Sequence, residues 1–136
     1  MTEMTGVTDD AAAAPMAGEA ELYAFLRELG VTWRHHTHPP LRTVEESRAL
    51  RGEMPGAHVK NMFLKDKRGG LYLATCLEDR RIRIRDLERA VGAKGMSFGK
   101  PDLLAEVLGV LPGAVTPFAL LNDRERRVRF LIDQGL

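Results

Sequence analysis

The chain is short of the residues that build disulfides, membrane spans and the familiar hydrolase centres. Cysteine occurs once in 136 residues, at position 76. No internal disulfide can form, and a reducing, cytoplasmic setting is expected. No apolar run approaches the ~20 residues that a membrane helix needs, and no basic-then-apolar stretch marks a secretory signal. Gly-x-Ser-x-Gly, His-Glu-x-x-His, P-loop and Gly-x-Gly-x-x-Gly patterns are missing. Their absence sets aside nucleophile-elbow hydrolases, zincins, P-loop enzymes and dinucleotide-binding enzymes. His35, His36 and His38 are crowded, but no Cys or second His cluster completes a tetrahedral site. They read as surface or substrate contacts, with no metal expected. Cys76 follows an apolar strand with no assured basic neighbour, so it reads as structural rather than nucleophilic.

What is present suffices for one domain. Hydrophobic residues make up 44% of the chain, and a domain of this size hides roughly 65–70% of its unfolded surface without needing staples. The net charge of +1 conceals an asymmetry. Residues 1–21 carry five acids and no Lys or Arg, which leaves 20 basic against 14 acidic side chains beyond them. Such a body suits a polyanion such as RNA, and equally suits a merely solvated basic surface.

Residues 1–18, rich in Ala, Thr and Asp around Pro15 and Gly18, read as a disordered leader, with a single domain over 19–136. Leu22, Phe25, Leu26 and Leu29 share one helical face that Gly30 ends. Val31–His36 reads as a strand closed by Pro39-Pro40. Thr43-Val44-Glu45-Glu46 matches a capping box opening a helix to about Leu50. Val59–Lys65 and Leu71–Thr75 flank a glycine-bearing turn and predict a hairpin. Ile82 and Ile84 alternate with Arg81, Arg83 and Arg85 ahead of a short helix from Asp86 to near Gly92. Met96–Phe98 reads as a short strand, Pro101–Leu108 as a helix, and Val128–Asp133 as a final strand. The fold class is therefore α/β (α+β), a largely antiparallel mixed sheet with short helices around it.

Two places invite chemistry. Lys60-Asn61 enters an apolar strand, and one of two adjacent strand residues must face the core side of its sheet. A cation or amide there needs a partner or a ligand; a solvated strand-edge lysine is the bland alternative. Gly113-Ala114-Val115-Thr116-Pro117 combines a permissive glycine with a rigid proline, so it can aim backbone groups at a ligand or simply make a tight connection.

These residues carry a resemblance. Leu22–Gly30, His38-Pro39-Pro40 with Thr43–Glu46, and Gly56–Asp66 resemble the start of the bacterial prolyl-tRNA editing family. Met96–Phe98, Leu108–Phe118 and Leu121–Asp123 continue the resemblance in order. The similarity spans roughly residues 20–135 and implies a YbaK-like fold. The His-Pro-Pro and Thr-Val-Glu-Glu segment is more similar to the branch that clears alanine from proline tRNA than to the branch that clears cysteine. The resemblance implies an ester hydrolase acting in trans on Ala-tRNA(Pro), without a cofactor. Lys60 would hold the terminal adenosine end with Asn61 beside it as the catalytic motif. The backbone of Gly113, Ala114, Val115, Thr116 and Pro117 would shape the aminoacyl pocket. Thr43 and Ser97 would add polar lining, although Thr43 reads equally well as a helix cap. On this reading Lys60 and the 113–117 bend converge on one small cavity. Arg80, Arg81, Arg83 and Arg85 would either meet tRNA phosphates or form a solvated strand face. The family pattern continues beyond the segment that ends at Leu136, and an open sheet edge there would favour a homodimer. The alternatives are a deacylase for another mischarged tRNA such as Cys-tRNA(Pro), or a non-catalytic tRNA-binding module.

Overall fold

The computed structural model describes residues 16–40, 43–52 and 54–136. Residues 1–15 of the expected leader lie outside that set. Of its remainder, Ala17 is tied to the body, its amide donating to the Asn122 Oδ1 at 2.6 Å.

Helix α1 spans Glu19–Glu28, with the Glu21 carboxylate accepting from the Gly18 amide at 3.1 Å. Of its apolar face only Leu26 is buried. Gly30 follows at φ +74°, a conformation that favours glycine. The strand expected over Val31–His36 does not form; those residues run as irregular chain. Its apolar alternation stops after Val31 and Trp33, where Arg34, His35 and His36 follow, and α1 holds the run instead through ring stacking.

Helix α2 spans Val44–Gly52. Thr43 is its cap, Oγ1 accepting from the Glu46 amide at 3.0 Å. Strands β1 (Val59–Lys65) and β2 (Leu71–Leu77) form the antiparallel hairpin. Its turn is built by Asp66, whose Oδ1 accepts from the amides of Arg68 and Gly70 at 2.9 and 2.8 Å. The Tyr72 hydroxyl donates to the Asp66 Oδ2 at 2.6 Å. That bond, followed by the amide of Gly70, holds the Asp66 carboxyl below the usual carboxylate range.

Helix α3 runs Ile84–Val91 and closes on Gly92 at φ 73°. The Arg81–Arg85 alternation is therefore no strand face. Arg83 stands at the N-cap position of α3 in extended backbone, Arg85 lies within the helix, and Ile84 packs beneath the sheet. Strand β3 is Ser97–Phe98, α4 is Pro101–Leu108, a 3₁₀-helix covers Pro117–Asn122, and β4 is Val128–Ile132. The sheet order is β3-β1-β2-β4, with β2–β4 parallel and the other two pairings antiparallel.

β2 is central, and six of its seven residues are buried. On one face Phe63 and Leu71 pack against Leu104, Val107 and Leu108 of α4. On the other, Leu64 and Tyr72 pack against Met96 and the apolar side of α3. Burying a leucine side chain such as Leu73 or Leu108, both fully enclosed, contributes roughly 1.5–3 kcal/mol. The two-sided burial of β1 and β2 fixes their register and, with it, the direction of every polar residue they carry.

Candidate functional site

Alternation along β1 decides what the Lys60-Asn61 pair can touch. Asn61 shares the face of Phe63, towards α4 and the 113–117 loop, and its Nδ2 donates to the Val115 carbonyl at 3.0 Å. Thr75, opposite Asn61 in the register, donates from Oγ1 to the Asn61 Oδ1 at 2.6 Å. A carbonyl only accepts, so Val115 fixes which end of the amide it meets, and the hydroxyl must then be the donor. Thr75 is only 4% exposed, so this relay is shielded from competing water.

Lys60 leaves from the opposite face, paired across the hairpin with Cys76. Its ammonium donates to the Arg80 carbonyl in the turn after β2. The expectation that the Lys60 ammonium and the 113–117 bend converge on one small cavity is not met by the Lys60 side chain, which leaves from the face of β1 opposite the loop. Neighbouring residues of a strand point to opposite sides, and Asn61 is the one that reaches the loop.

Around Lys60 the turn is firmly braced. Asp133, its side chain 5% exposed, accepts from the Arg80 Nε at 2.6 Å and from the Leu77 amide at 3.1 Å through Oδ2. Its Oδ1 accepts from the Gly135 amide at 2.9 Å. The backbone bonds from Gly135 and Leu77, ahead of Arg80, hold the Asp133 carboxyl below its ordinary range. Arg51 of α2 pairs with Glu78, and the Glu78 amide donates to the His58 carbonyl at 2.9 Å. Cys76 is buried, and burial followed by the Asp133 charge pushes its thiol up. A raised thiol is a poor nucleophile, in keeping with a structural role.

Two clefts flank these elements. One, about 460 Å³, is lined by Ala57, His58 and the Leu77–Arg80 turn. The other, about 380 Å³, lies between Leu22, Phe25 and Leu26 of α1 and Pro117, Phe118, Leu120 and Leu121. Neither is lined by both Lys60 and the loop. In the loop, Gly113 takes φ 90° and the Ala114 amide donates to the Leu111 carbonyl at 2.9 Å. Thr116 caps the 3₁₀-helix, Oγ1 accepting from the Phe118 amide at 3.3 Å.

The remaining expected residues fall elsewhere. Ser97 pairs with Lys65 at the far end of β1, roughly 14 Å along the strand from Asn61 at ~3.4 Å per residue. It does not line this end. Thr43 is accounted for as a cap. Among the described residues no group of three or more His, Cys, Asp or Glu side chains could hold a metal. Thr75 and Asp133 were not marked by local pattern. The one signal for Thr75 is a polar residue inside an otherwise apolar strand, which must find a partner.

Residues 38–136 match the aminoacyl-tRNA editing domain family. The chain is 33% identical over 122 residues to the prolyl-tRNA editing protein ProX of Acetoanaerobium sticklandii, covering 89% of this chain and 74% of that one. It is 35% identical over 136 residues to the prolyl-tRNA synthetase associated domain-containing protein 1 of Danio rerio, covering all of this chain and 74% of the relative. The crystal structure of hypothetical protein APE2540 superposes with a TM-score of 0.67 at 27% identity, over 85% of this chain and 74% of that one. The chain belongs to the YbaK-like prolyl-tRNA editing family and is an aminoacyl-tRNA deacylase. No helix among the described residues is long and apolar enough to cross a membrane.

Proposed function

We propose that this chain hydrolyses the ester of Ala-tRNA(Pro) in trans. The observation that carries the reading is the Asn61–Val115 hydrogen bond, which couples the Lys60-Asn61 motif to the 113–117 loop. An aminoacyl ester is already activated, so no covalent nucleophile is required. Holding the ester and a water in place, and countering charge on the developing oxyanion, supply much of the rate. The amides of Val115 and Thr116 donate to no protein group among the described residues. Such donors suit an oxyanion.

Lys60 acts from the other side of the strand. Its partner is a neutral carbonyl, so its positive charge is not spent on a carboxylate and remains available to a phosphate near the terminal adenosine. Editing of alanine also has a physical rationale. A proline site rejects a smaller side chain by only ~1–3 kcal/mol, so a second site must remove it.

The test is deacylation of Ala-tRNA(Pro), Cys-tRNA(Pro), Pro-tRNA(Pro) and Ala-tRNA(Ala) side by side. Fastest turnover of Ala-tRNA(Pro) is expected; faster turnover of the cysteinyl ester would transfer the assignment to that substrate. Lys60→Ala should lower kcat/KM by about ten- to a hundredfold, the worth of a charge-assisted hydrogen bond. A wild-type rate in that variant would remove Lys60 from the site.

A further inference from the structure

The run between α1 and α2 carries a feature that the editing site leaves unused. Trp33, the sole tryptophan of the chain, stacks on Tyr23 of α1 with ring centroids 5.2 Å apart and planes 6° from parallel. The Arg27 guanidinium sits 5.7 Å from the Trp33 ring centroid. His35 tilts against Tyr23 at 5.7 Å, and its Nε2 lies 3.8 Å from the Glu19 carboxylate. Both stacked rings stay partly exposed, and Arg34, His35, His36 and His38 are exposed around them. From Leu29 to Val44 the sequence holds no acid at all. Aromatic faces set among cations are what single-stranded nucleic acid uses, because every base has a π-face and every nucleotide a phosphate.

Position supports the same partner. α1 turns Leu22, Phe25 and Leu26 to the cleft that Pro117 and Phe118 wall on the other side, and Pro117 closes the 113–117 loop. Tyr23 and Arg27, at i and i+4, form the adjoining flank of α1. The stack therefore lies on the flank of α1 next to the face that meets Pro117. Phe25 and Phe118, 40% and 55% exposed, lie along the way.

We infer that Trp33, Tyr23 and Arg27 form a stacking platform for an unpaired base of the 3′ single-stranded end of tRNA. The inference rests on the editing reading of the neighbouring loop. It gives that substrate a second foothold, separate from Lys60. A stack that merely pins the irregular run to α1 would bind no base.

The unique indole provides the readout. The full chain is titrated with a short RNA duplex bearing a 3′ overhang that ends in CCA, and with the same duplex made blunt, while binding is followed in parallel by anisotropy. Saturable quenching of Trp33 by the overhang RNA is expected, with less than about a third of it from the blunt duplex. Trp33→Ala should weaken overhang binding by at least about fivefold while Trp33→Phe, which keeps a ring, stays within about twofold. Unchanged fluorescence under bound overhang RNA, equal quenching by the blunt duplex, or wild-type affinity in Trp33→Ala would each overturn the platform. Deacylation of mischarged tRNA is scored separately. An active enzyme with a silent Trp33 refutes the platform alone, whereas a chain inactive on every mischarged tRNA refutes the editing reading beneath it.

Discussion

A single hydroxyl completes the polar relay on the loop side of the site. The Val115 carbonyl leaves the Asn61 amide one orientation, and the Thr75 hydroxyl donates to the amide oxygen that this orientation turns towards it. Thr75→Val keeps the shape and deletes the donor. It should lower kcat by about tenfold, since a shielded hydrogen bond is worth ~1 kcal/mol and its orphaned acceptor costs more. Thr75→Ser should restore activity to within about twofold. Steady-state kinetics on both variants check this, and equal defects in the two would reduce Thr75 to a packing role. The sequence marked Lys60, Asn61 and the 113–117 loop because a cation, an amide and a Gly-to-Pro bend are conspicuous locally. It could not mark Thr75 or Asp133, because their partners lie across the register or far along the chain. Nor could it show which of Lys60 and Asn61 faces the loop. That depends on strand phase, which the packing of Phe63 and Leu64 on opposite sides decides.

Among the elements, the hairpin carries an acid-sensitive turn. Asp66 and Asp133 both have carboxyls held below the ordinary range. For such groups the stabilisation is fully present above the unfolded-state pKa, about 4, and is lost as pH falls through the lower folded-state value. Thermal unfolding should therefore be insensitive to these two groups near neutrality and steepen below about pH 4. Asp66→Asn should flatten that acid limb; an unchanged limb would assign it to other carboxylates. Hairpin, α4 and the short β3 were legible because glycines, a proline at the helix start and apolar periods all agreed. The Val31–His36 strand was misread because apolar and aromatic residues at its start favour extended chain locally, whereas no neighbouring strand accepts them.

At the scale of the molecule two devices act, a buried amide that joins distant parts and an uneven distribution of charge. Asn122, buried, donates to the Leu108 carbonyl at 3.0 Å and accepts from Ala17 at 2.6 Å, joining the chain before α1 to the end of α4. Asn122→Ala would orphan buried groups and should cost about 1–3 kcal/mol in denaturant unfolding. A change under half of that would show that water replaces the amide. The second device is charge. With 20 basic against 14 acidic side chains beyond residue 21, the binding constant for tRNA should fall linearly with salt on logarithmic axes. A flat salt response would mean that few phosphates are touched. YbaK-like architecture was legible from motif order, while the placement of the arginines was not. Arg80 is engaged by Asp133, and Arg83, at the position before α3, keeps an exposed side chain that makes no capping bond.

β2 and β4 run in the same direction, which no tight turn can arrange. Everything from α3 to the 3₁₀-helix must be made before β4 can settle beside Thr75 and before Asp133 can grip Arg80. Pairings of such long sequence separation are slow to nucleate. A nascent chain that already displays Lys60 and Asn61 on a finished hairpin would still lack the brace behind them, so deacylation should emerge abruptly with the docking of β4 rather than grow in step with the hairpin.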